Sequence, residues 1–176
     1  MDEHLEILKE GKYIRLLRRG DWEFVQRTNC TGIVIIIAMT EDQKVIFVRQ
    51  YRAPVNCDVI EFPAGLVNDG GCPETTAQAA MRELQEETGY EAEEVVPVFS
   101  GPGGAGASSD ILTFFLARRI RKVANGGGDA SERITVYEIP LMQVEEWLKQ
   151  MAGQGVPADP KIYAGLYFLK TYNKNS

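Results

Sequence analysis

Acidic side chains are concentrated in one short segment of the chain. Residues 74–90 read ETTAQAAMRELQEETGY, which places Glu83, Glu86 and Glu87 close together with Arg82 beside them. Successive residues of a helix turn by about 100°, so these glutamates would share one patch within about one turn. Like charges at this spacing repel, whereas hard oxygen ligands grouped in this way suit Mg²⁺ or Mn²⁺. The segment predicts either a divalent-cation site or a solvated acidic helix face.

The wider pattern around this segment favours the cation site. The segment resembles the Nudix box. In that pattern a glycine is followed by five residues and a glutamate. Seven more residues then lead to the run Arg-Glu-aliphatic-x-Glu-Glu-x-Gly-aliphatic. Here seven residues separate Glu74 from Arg82, and Tyr90 takes the final aliphatic position. The box glycine is displaced, because position 68 is Asn68 and the nearest equivalent is Gly65. The loop before Glu74 is therefore three residues longer than the pattern, which a surface loop tolerates at small entropic cost.

Two upstream motifs resemble the branch of this family that cleaves ADP-ribose and other nucleoside diphosphate sugars. Residues 48–54 read VRQYRAP and residues 60–65 read IEFPAG. The resemblance implies that the backbone carbonyl of Ala64 completes a metal site with the three glutamates, holding two or three Mg²⁺ ions or, as a substitute, Mn²⁺. It also implies that Arg52 and Glu61 bind substrate, since a guanidinium can contact phosphate oxygens through two nitrogens. The alternative for Arg52 is an ordinary surface charge.

A third motif, WEFVQR at residues 22–27, resembles a strand of the same branch. The resemblance implies that Trp22 stacks on the nucleobase, Glu23 bonds the base and Arg27 reaches the diphosphate. A stacked indole contributes about 1–3 kcal/mol per base. The alternatives are core or dimer packing for Trp22 and a surface charge for Arg27. Members of this branch are commonly dimers whose N-terminal strands cross to the partner, so we also expect a homodimer.

The catalytic base is expected on a loop after the main sheet. By resemblance it is Glu132, within NGGGDASER, where the triple glycine would let the loop close over substrate. Asp129 and Glu86 remain competitors for this role, and Arg82 is expected to support the catalytic carboxylates. A second glycine-rich loop, residues 101–109, precedes Asp110, which stands where relatives carry a glutamate. Its glycines would let backbone N–H groups approach phosphate or sugar.

These residues need elements to position them. Strands are expected at residues 13–17, 23–28, 32–39, 44–50, 59–62, 95–99, 111–117 and 134–139, and helices at 74–88, 141–151 and 160–172. The run GIVIIIAM is typical of a strand buried on both faces. The order predicts a Nudix-type α/β/α sandwich around a mixed β-sheet, preceded by a small antiparallel hairpin. Residues 1–29 would form this extension, and residues 30–176 the hydrolase domain.

Composition narrows the function further. The net charge of −6 argues against nucleic acid as a partner, and the longest apolar run, residues 32–39, is too short to cross a bilayer. The acidic N-terminus is unlike a signal peptide, so a cytoplasmic enzyme is expected. A single histidine, His4, argues against a Ser-His-Asp apparatus.

The predicted reaction is Mg²⁺-dependent hydrolysis of the diphosphate bond of a nucleoside diphosphate sugar, with ADP-ribose as the first candidate. The products would be a nucleoside monophosphate and a sugar phosphate. GDP-sugars, UDP-sugars, dinucleoside polyphosphates or a broad set of nucleotide sugars are alternative substrates. A non-catalytic nucleotide-sugar sensor is the alternative from another class, although this chain keeps every acid of the box.

Overall fold

The computed structural model describes residues 4–69, 71, 73–128 and 133–172. Strands and helices follow one another in this part of the chain without strict alternation. The strands are β1 (Leu5–Glu10), β2 (Ile14–Arg19), β3 (Trp22–Arg27), β4 (Gly32–Ala38), β5 (Lys44–Arg52), β6 (Cys57–Glu61), β7 (Ala64–Val67), β8 (Tyr90–Pro102), β9 (Ile111–Lys122) and β10 (Thr135–Pro140). The helices are α1 (Thr76–Thr88), α2 (Val144–Gly153) and α3 (Lys161–Tyr172).

Strand β4 lies at the centre of the main sheet. It pairs parallel with β9 and antiparallel with β7, and β8 pairs antiparallel with β9, which gives the order β7-β4-β9-β8. A second sheet has the order β10-β5-β6, with both pairings antiparallel. The predicted mixed sheet is confirmed.

The side chains of β4 alternate between two hydrophobic cores. Ile35 and Ile37 pack in one core with residues of α2 and α3, whereas Val34 and Ile36 pack in the other with residues of α1. Each of these four side chains is at most 1% exposed. A strand covered by helices on both faces explains the unbroken apolar run of this segment. The α/β/α sandwich expected from the sequence is confirmed.

The N-terminal extension is a three-stranded antiparallel sheet. The predicted hairpin corresponds to β2 and β3, and β1 adds a third strand that the sequence did not indicate. Five of the six β1 residues are exposed, so no buried face produces a clear apolar alternation. The sheet joins the main domain through β3, where Val25 exchanges backbone hydrogen bonds with Ala107 and Ser109.

Several element boundaries differ from those expected. Strand β7 is not among the expected strands, and β8 and β9 extend well beyond residues 95–99 and 111–117, because their long mutual pairing includes Gly101 and Pro102. Helix α1 begins after Thr75, whose hydroxyl accepts from the Gln78 N–H while the Gln78 side chain accepts from the Thr75 N–H. This capping box fixes the helix start two residues later than predicted. In the described ranges, no helix has the length and apolar composition needed to cross a membrane.

Candidate active site

A cleft of about 740 Å³ lies beside α1 and gathers most of the predicted site residues. Eight of them line it, namely Arg27, Arg52, Glu61, Ala64, Arg82, Glu83, Glu86 and Glu87. Three different parts of the chain supply these residues: the N-terminal sheet, the ends of β5 to β7, and helix α1. The remaining predicted residues are Trp22 and Glu23, which do not line the cleft, and Glu132, which lies outside the described residues together with Asp129.

Arg82 is the centre of the polar network on the helix side. Its guanidinium donates to Glu74 through Nη2 (2.9 Å) and Nε (3.2 Å), and Nη1 donates to Glu83 (2.8 Å) and Glu86 (2.9 Å). Nη2 also donates to the carbonyl of Leu66 at 3.1 Å. The hydrogen bond from Arg82 lowers the pKa of Glu74. One cation therefore ties α1 to the turn before it and holds two of the predicted metal ligands.

Glu83 is held in a buried position against β7. The residue is 9% exposed, and a Cβ atom on Gly65 would stand 1.9 Å from its carboxylate. Only a glycine at position 65 leaves room for this side chain, which gives the displaced box glycine a steric role. Burial raises the pKa of Glu83 to about 7, and the charge and hydrogen bond of Arg82 oppose this shift. Glu83 is thus a carboxylate with too little positive charge around it.

Glu87 lies one turn further along α1 and is 3% exposed. Its Oε2 accepts a hydrogen bond from the backbone N–H of Ala64 at 3.1 Å, which fixes the helix against the Pro63-Ala64-Gly65 turn. Glu86, by contrast, is largely exposed at the rim, with 55% of its side chain accessible. The predicted ligands therefore differ in environment, with two buried carboxylates and one exposed carboxylate that Arg82 contacts.

The described carboxylates near Arg82 fit a divalent cation by their chemistry, although no three of them converge on one point. Among the described residues, no three His, Cys, Asp or Glu side chains converge on a single point, since Glu83 and Glu86 are directed to Arg82. Three glutamates, Glu74, Glu83 and Glu86, nevertheless surround a single arginine, Arg82. Carboxylate and carbonyl oxygens are the ligands that Mg²⁺ and Mn²⁺ prefer. By charge and ligand chemistry the residues fit such an ion, which would relieve the excess negative charge.

Other cations line the cleft opposite and beside α1. Arg52 donates from Nε to Oε2 of Glu61 at 2.6 Å, and Glu61 is only 6% exposed. A buried acid therefore fixes the orientation of Arg52. Arg27 reaches the cleft from β3, with Nε 3.5 Å from Oδ2 of Asp110.

One wall of the cleft was not predicted from the sequence. Residues 157–161 reach it because β6 bonds to them: the N–H of Ile60 donates to Pro157, and the N–H of Asp159 donates to Ile60, each at 2.9 Å. Asp159 also accepts from the N–H of Lys161 at 2.7 Å and pairs with its ammonium group. No motif or spacing in the sequence marks this pair, because only the long-range pairing with β6 brings it to the cleft.

Trp22 and Glu23 lie on the exposed surface of the N-terminal sheet. Trp22 is 62% exposed, and its indole Nε1 donates to the carbonyl of Gly106 at 3.1 Å. Glu23 pairs in register with Arg18 of the neighbouring strand. Within one chain, the structure does not bring these two residues to the cleft.

Both glycine-rich loops have more fixed roles than expected. The N–H groups of Ala107 and Ser108 both donate to the carbonyl of Gly104, and the N–H of Ser109 donates to the carbonyl of Val25. These three N–H groups therefore do not form a binding site for phosphate. Gly126, Gly127 and Gly128 all have positive φ.

The second glycine run is bonded directly to α1. Gly127 and Gly128 donate to the carbonyls of Glu87 (2.8 Å) and Glu86 (3.1 Å) at the end of the helix. This run therefore caps α1 and is not the freely moving hinge that its composition indicated.

The cleft is lined by the acidic helix α1 and by two arginines, Arg27 and Arg52. This arrangement is suited to the chemistry of diphosphates. The chain belongs to the Nudix family, since the family model for the NUDIX domain matches residues 30–165. The family predicted from the sequence is thereby confirmed.

Several curated proteins are similar to this chain. An ADP-sugar pyrophosphatase of Mus musculus is 31% identical, covering 96% of this chain and 86% of the relative. An ADP-ribose pyrophosphatase of Bacillus subtilis is 33% identical, covering 77% and 71%. A methanol dehydrogenase activator of Bacillus methanolicus is 34% identical, but the chain spans only 63% of that relative.

A solved structure described as an ADP compounds hydrolase has the same fold. It aligns with a TM-score of 0.71 over 98% of this chain and 92% of the other, at 18% identity. The fold and the family agree with the prediction of a Nudix pyrophosphohydrolase.

Proposed function

We propose that this protein hydrolyses the diphosphate bond of a nucleoside diphosphate sugar, with ADP-ribose as the first candidate. The products are a nucleoside monophosphate and a sugar phosphate. The cleft carries the proposal, because it places the carboxylates of Glu83, Glu86 and Glu87 together with the guanidinium groups of Arg27 and Arg52. Relatives that are ADP-ribose and ADP-sugar pyrophosphatases support the substrate class.

Each of the predicted site residues that line the cleft has a part in this proposal. Arg27 and Arg52 bind nonbridging oxygens of the diphosphate, and Glu61 keeps Arg52 oriented toward them. Glu83, Glu86, Glu87 and the carbonyl of Ala64 would hold two or three Mg²⁺ ions, or Mn²⁺ in their place. When bound, these ions neutralise charge on the diphosphate and favour attack by water. Arg82 orients Glu83 and Glu86 through its two hydrogen bonds.

Hydrolysis also needs a group that accepts the proton of the attacking water. We assign this part to Glu132 on the strength of its position after the glycine run, with Asp129 and Glu86 as competitors. A carboxylate of ordinary basicity suffices where the water is already activated. The water oxygen ends on one of the two phosphates, and the other leaves with the bridging oxygen.

The N-terminal sheet enters the proposal through a second copy of the chain. Leu5, Ile7, Tyr13 and Ile14 expose between 40% and 57% of their surface on this sheet, and Trp22 exposes 62%. We propose that a homodimer covers these side chains and brings Trp22 and Glu23 to the nucleobase in the partner's cleft. The cytoplasmic location stays a prediction, which cell fractionation would test.

A panel of nucleotide sugars tests the proposal directly. The purified protein is incubated with Mg²⁺ and ADP-ribose, GDP-mannose or UDP-glucose, and the released monophosphate is measured by chromatography. Release of AMP from ADP-ribose is expected to be fastest. A GDP-mannose pyrophosphatase of Escherichia coli strain K12, 32% identical over 93% of this chain, makes GDP-mannose the second candidate. Binding of a nucleotide sugar without any product would instead indicate a sensor.

A further inference from the structure

Asp110 has no part in the reaction as described so far, yet it faces a cation of the cleft. Its Oδ2 lies 3.5 Å from Nε of Arg27, and 22% of its side chain is exposed. We propose that Asp110 is a positioning residue that orients Arg27 for contact with the substrate's diphosphate. This inference rests on the proposed function, because it names how one of the binding residues is held.

The surroundings of Arg27 explain why it needs such a partner. The Nε atom is buried and has no hydrogen-bond partner within the described residues. A buried donor of a charged group is costly unless an opposite charge lies near it. Asp110 supplies that charge, at a distance longer than a hydrogen bond.

The side of the guanidinium that Asp110 approaches is also informative. A contact at Nε leaves the terminal nitrogens Nη1 and Nη2 for a bidentate contact with phosphate oxygens. Arg27 lines both the cleft and a small cavity of about 100 Å³, whereas Asp110 lines the small cavity and not the cleft. Asp110 therefore acts on the cleft through Arg27.

The backbone around Asp110 is fixed well enough for this role. Its N–H donates to Oγ of Ser108 at 3.0 Å, and its carbonyl accepts from Gly103 at 3.0 Å. Ser109 donates to the carbonyl of Val25, two residues before Arg27. The loop that carries Asp110 is thus bonded to the strand that carries Arg27, so the backbone positions of the two residues are fixed relative to each other.

Two substitutions at position 110 separate charge from shape. Asp110→Asn keeps the size of the side chain but removes its charge, so KM is expected to rise about three- to five-fold while kcat stays within about twofold. Asp110→Glu keeps the charge on a longer and more flexible side chain that can bend to meet Nε of Arg27, so KM is expected to stay near wild type. Asp42→Asn, which breaks an exposed ion pair with Lys44, serves as the matched control.

A double-mutant cycle shows whether Asp110 acts through Arg27. Arg27→Ala alone should raise KM about tenfold or more, because a charged hydrogen-bonding partner of the phosphate is lost. Adding Asp110→Asn should then cost nothing further. Additive effects would mean that Asp110 contacts substrate directly and would overturn the inference, as would an unchanged KM in Asp110→Asn.

The same cycle is run on the dissociation constant of ADP with Mg²⁺, measured by calorimetry. This keeps the test valid if the wild-type protein cleaves none of the nucleotide sugars, an outcome that would refute the proposed function alone. Melting temperatures of all variants separate unfolding from a change in binding. Weaker ADP binding in Asp110→Asn, absent in the Arg27→Ala background, supports the inference.

Discussion

At the scale of single residues, Glu87 offers the sharpest test of the proposed cation site. Glu87→Gln keeps the volume of the side chain and leaves an oxygen that can accept from the Ala64 N–H, but it removes the charge. We expect kcat to fall about 10²- to 10³-fold, the size seen when one group that stabilises transition-state charge is removed. The melting temperature should change little. Steady-state kinetics with ADP-ribose and thermal unfolding measure both.

Glu145→Gln is the matched control for this substitution. Glu145 is an exposed glutamate in the first turn of α2 and does not line the cleft, so its variant should keep wild-type kinetics. Turnover close to wild type in Glu87→Gln would refute the assignment of Glu87 as a ligand.

Gly65 gives a second prediction at this scale. An added Cβ would collide with the carboxyl end of Glu83, which is a flexible side chain, so the fold can absorb the change by moving that carboxylate. Gly65→Ala is therefore expected to lower Mg²⁺ affinity and kcat at least about tenfold while costing roughly 1 kcal/mol or less in stability. Calorimetric titration with Mg²⁺ and thermal unfolding provide the two readouts.

Gly153→Ala is the control, because a Cβ at that position meets no atom within 4 Å. A Gly65→Ala protein with unchanged metal affinity would show that the position of Glu83 does not matter to the site. A severe loss of stability would instead show that the backbone moves to relieve the collision and that the Glu83 carboxylate does not.

At the scale of elements, one polar cluster joins the two sheets. Glu138 on β10 accepts from the hydroxyl of Tyr90 on β8 (2.7 Å) and from the ammonium of Lys122 on β9 (3.0 Å). The hydrogen bond from Tyr90, followed by that from Lys122, lowers the pKa of Glu138 from its usual 4.5. A carboxylate whose pKa is lowered by folding stabilises the folded state only while it is ionised.

This cluster makes stability depend on pH in a defined direction. Its contribution is complete above about pH 4.5 and is lost as the pH falls through the lowered pKa of folded Glu138. At pH 7, Glu138→Gln should lower the free energy of unfolding by about 1 kcal/mol, and the difference from wild type should shrink below pH 4.5. Urea unfolding across this range measures it. A difference that does not change with pH would contradict the prediction.

The sequence predicted those elements whose stability is local. Helix α1 was found from its acids, Pro73 and Gly89, and β4 from its apolar run. Strand β7 was not, because Ala-Gly-Leu-Val after a proline is typical of a turn and becomes a strand only by pairing with β4. Strand β1 is likewise defined by its partner β2 and not by burial.

The residues of the site divide in the same way, into those that local spacing predicts and those that long-range packing brings together. Arg82 and its neighbouring glutamates follow from helical spacing alone, and the structure shows them in contact. The Arg27–Asp110 pair depends on how distant segments pack, and so does the position of the local Asp159–Lys161 pair in the cleft; sequence spacing predicts neither. After the three-residue excess in the loop, Glu74 is held by Asn68, which bonds its backbone and side chain, and by Arg82, which bonds its carboxylate.

At the scale of the whole molecule, the exposed apolar side chains of the N-terminal sheet predict self-association. Light scattering should give a mass twice the 19.6 kDa of the chain. Ile7→Lys with Ile14→Lys, which places charges on two side chains that are 51% and 49% exposed, should shift the protein to the monomer. The melting temperature of the Nudix core should be preserved. A monomeric wild-type protein would contradict this prediction.

The positively charged side chains that line the cleft share one property, which affects the electrostatic potential around the protein. Each already has an acidic partner within 4 Å, in the pairs Arg27–Asp110, Arg52–Glu61, Arg82–Glu74 and Lys161–Asp159. On a protein of net charge −6, such a cleft projects little positive potential into solvent. An anionic substrate is therefore not drawn in from a distance, and added salt should not slow its association. Free chloride and inorganic phosphate gain little by entering, so discrimination begins only when a ligand of matching shape reaches the guanidinium nitrogens that these acids leave open.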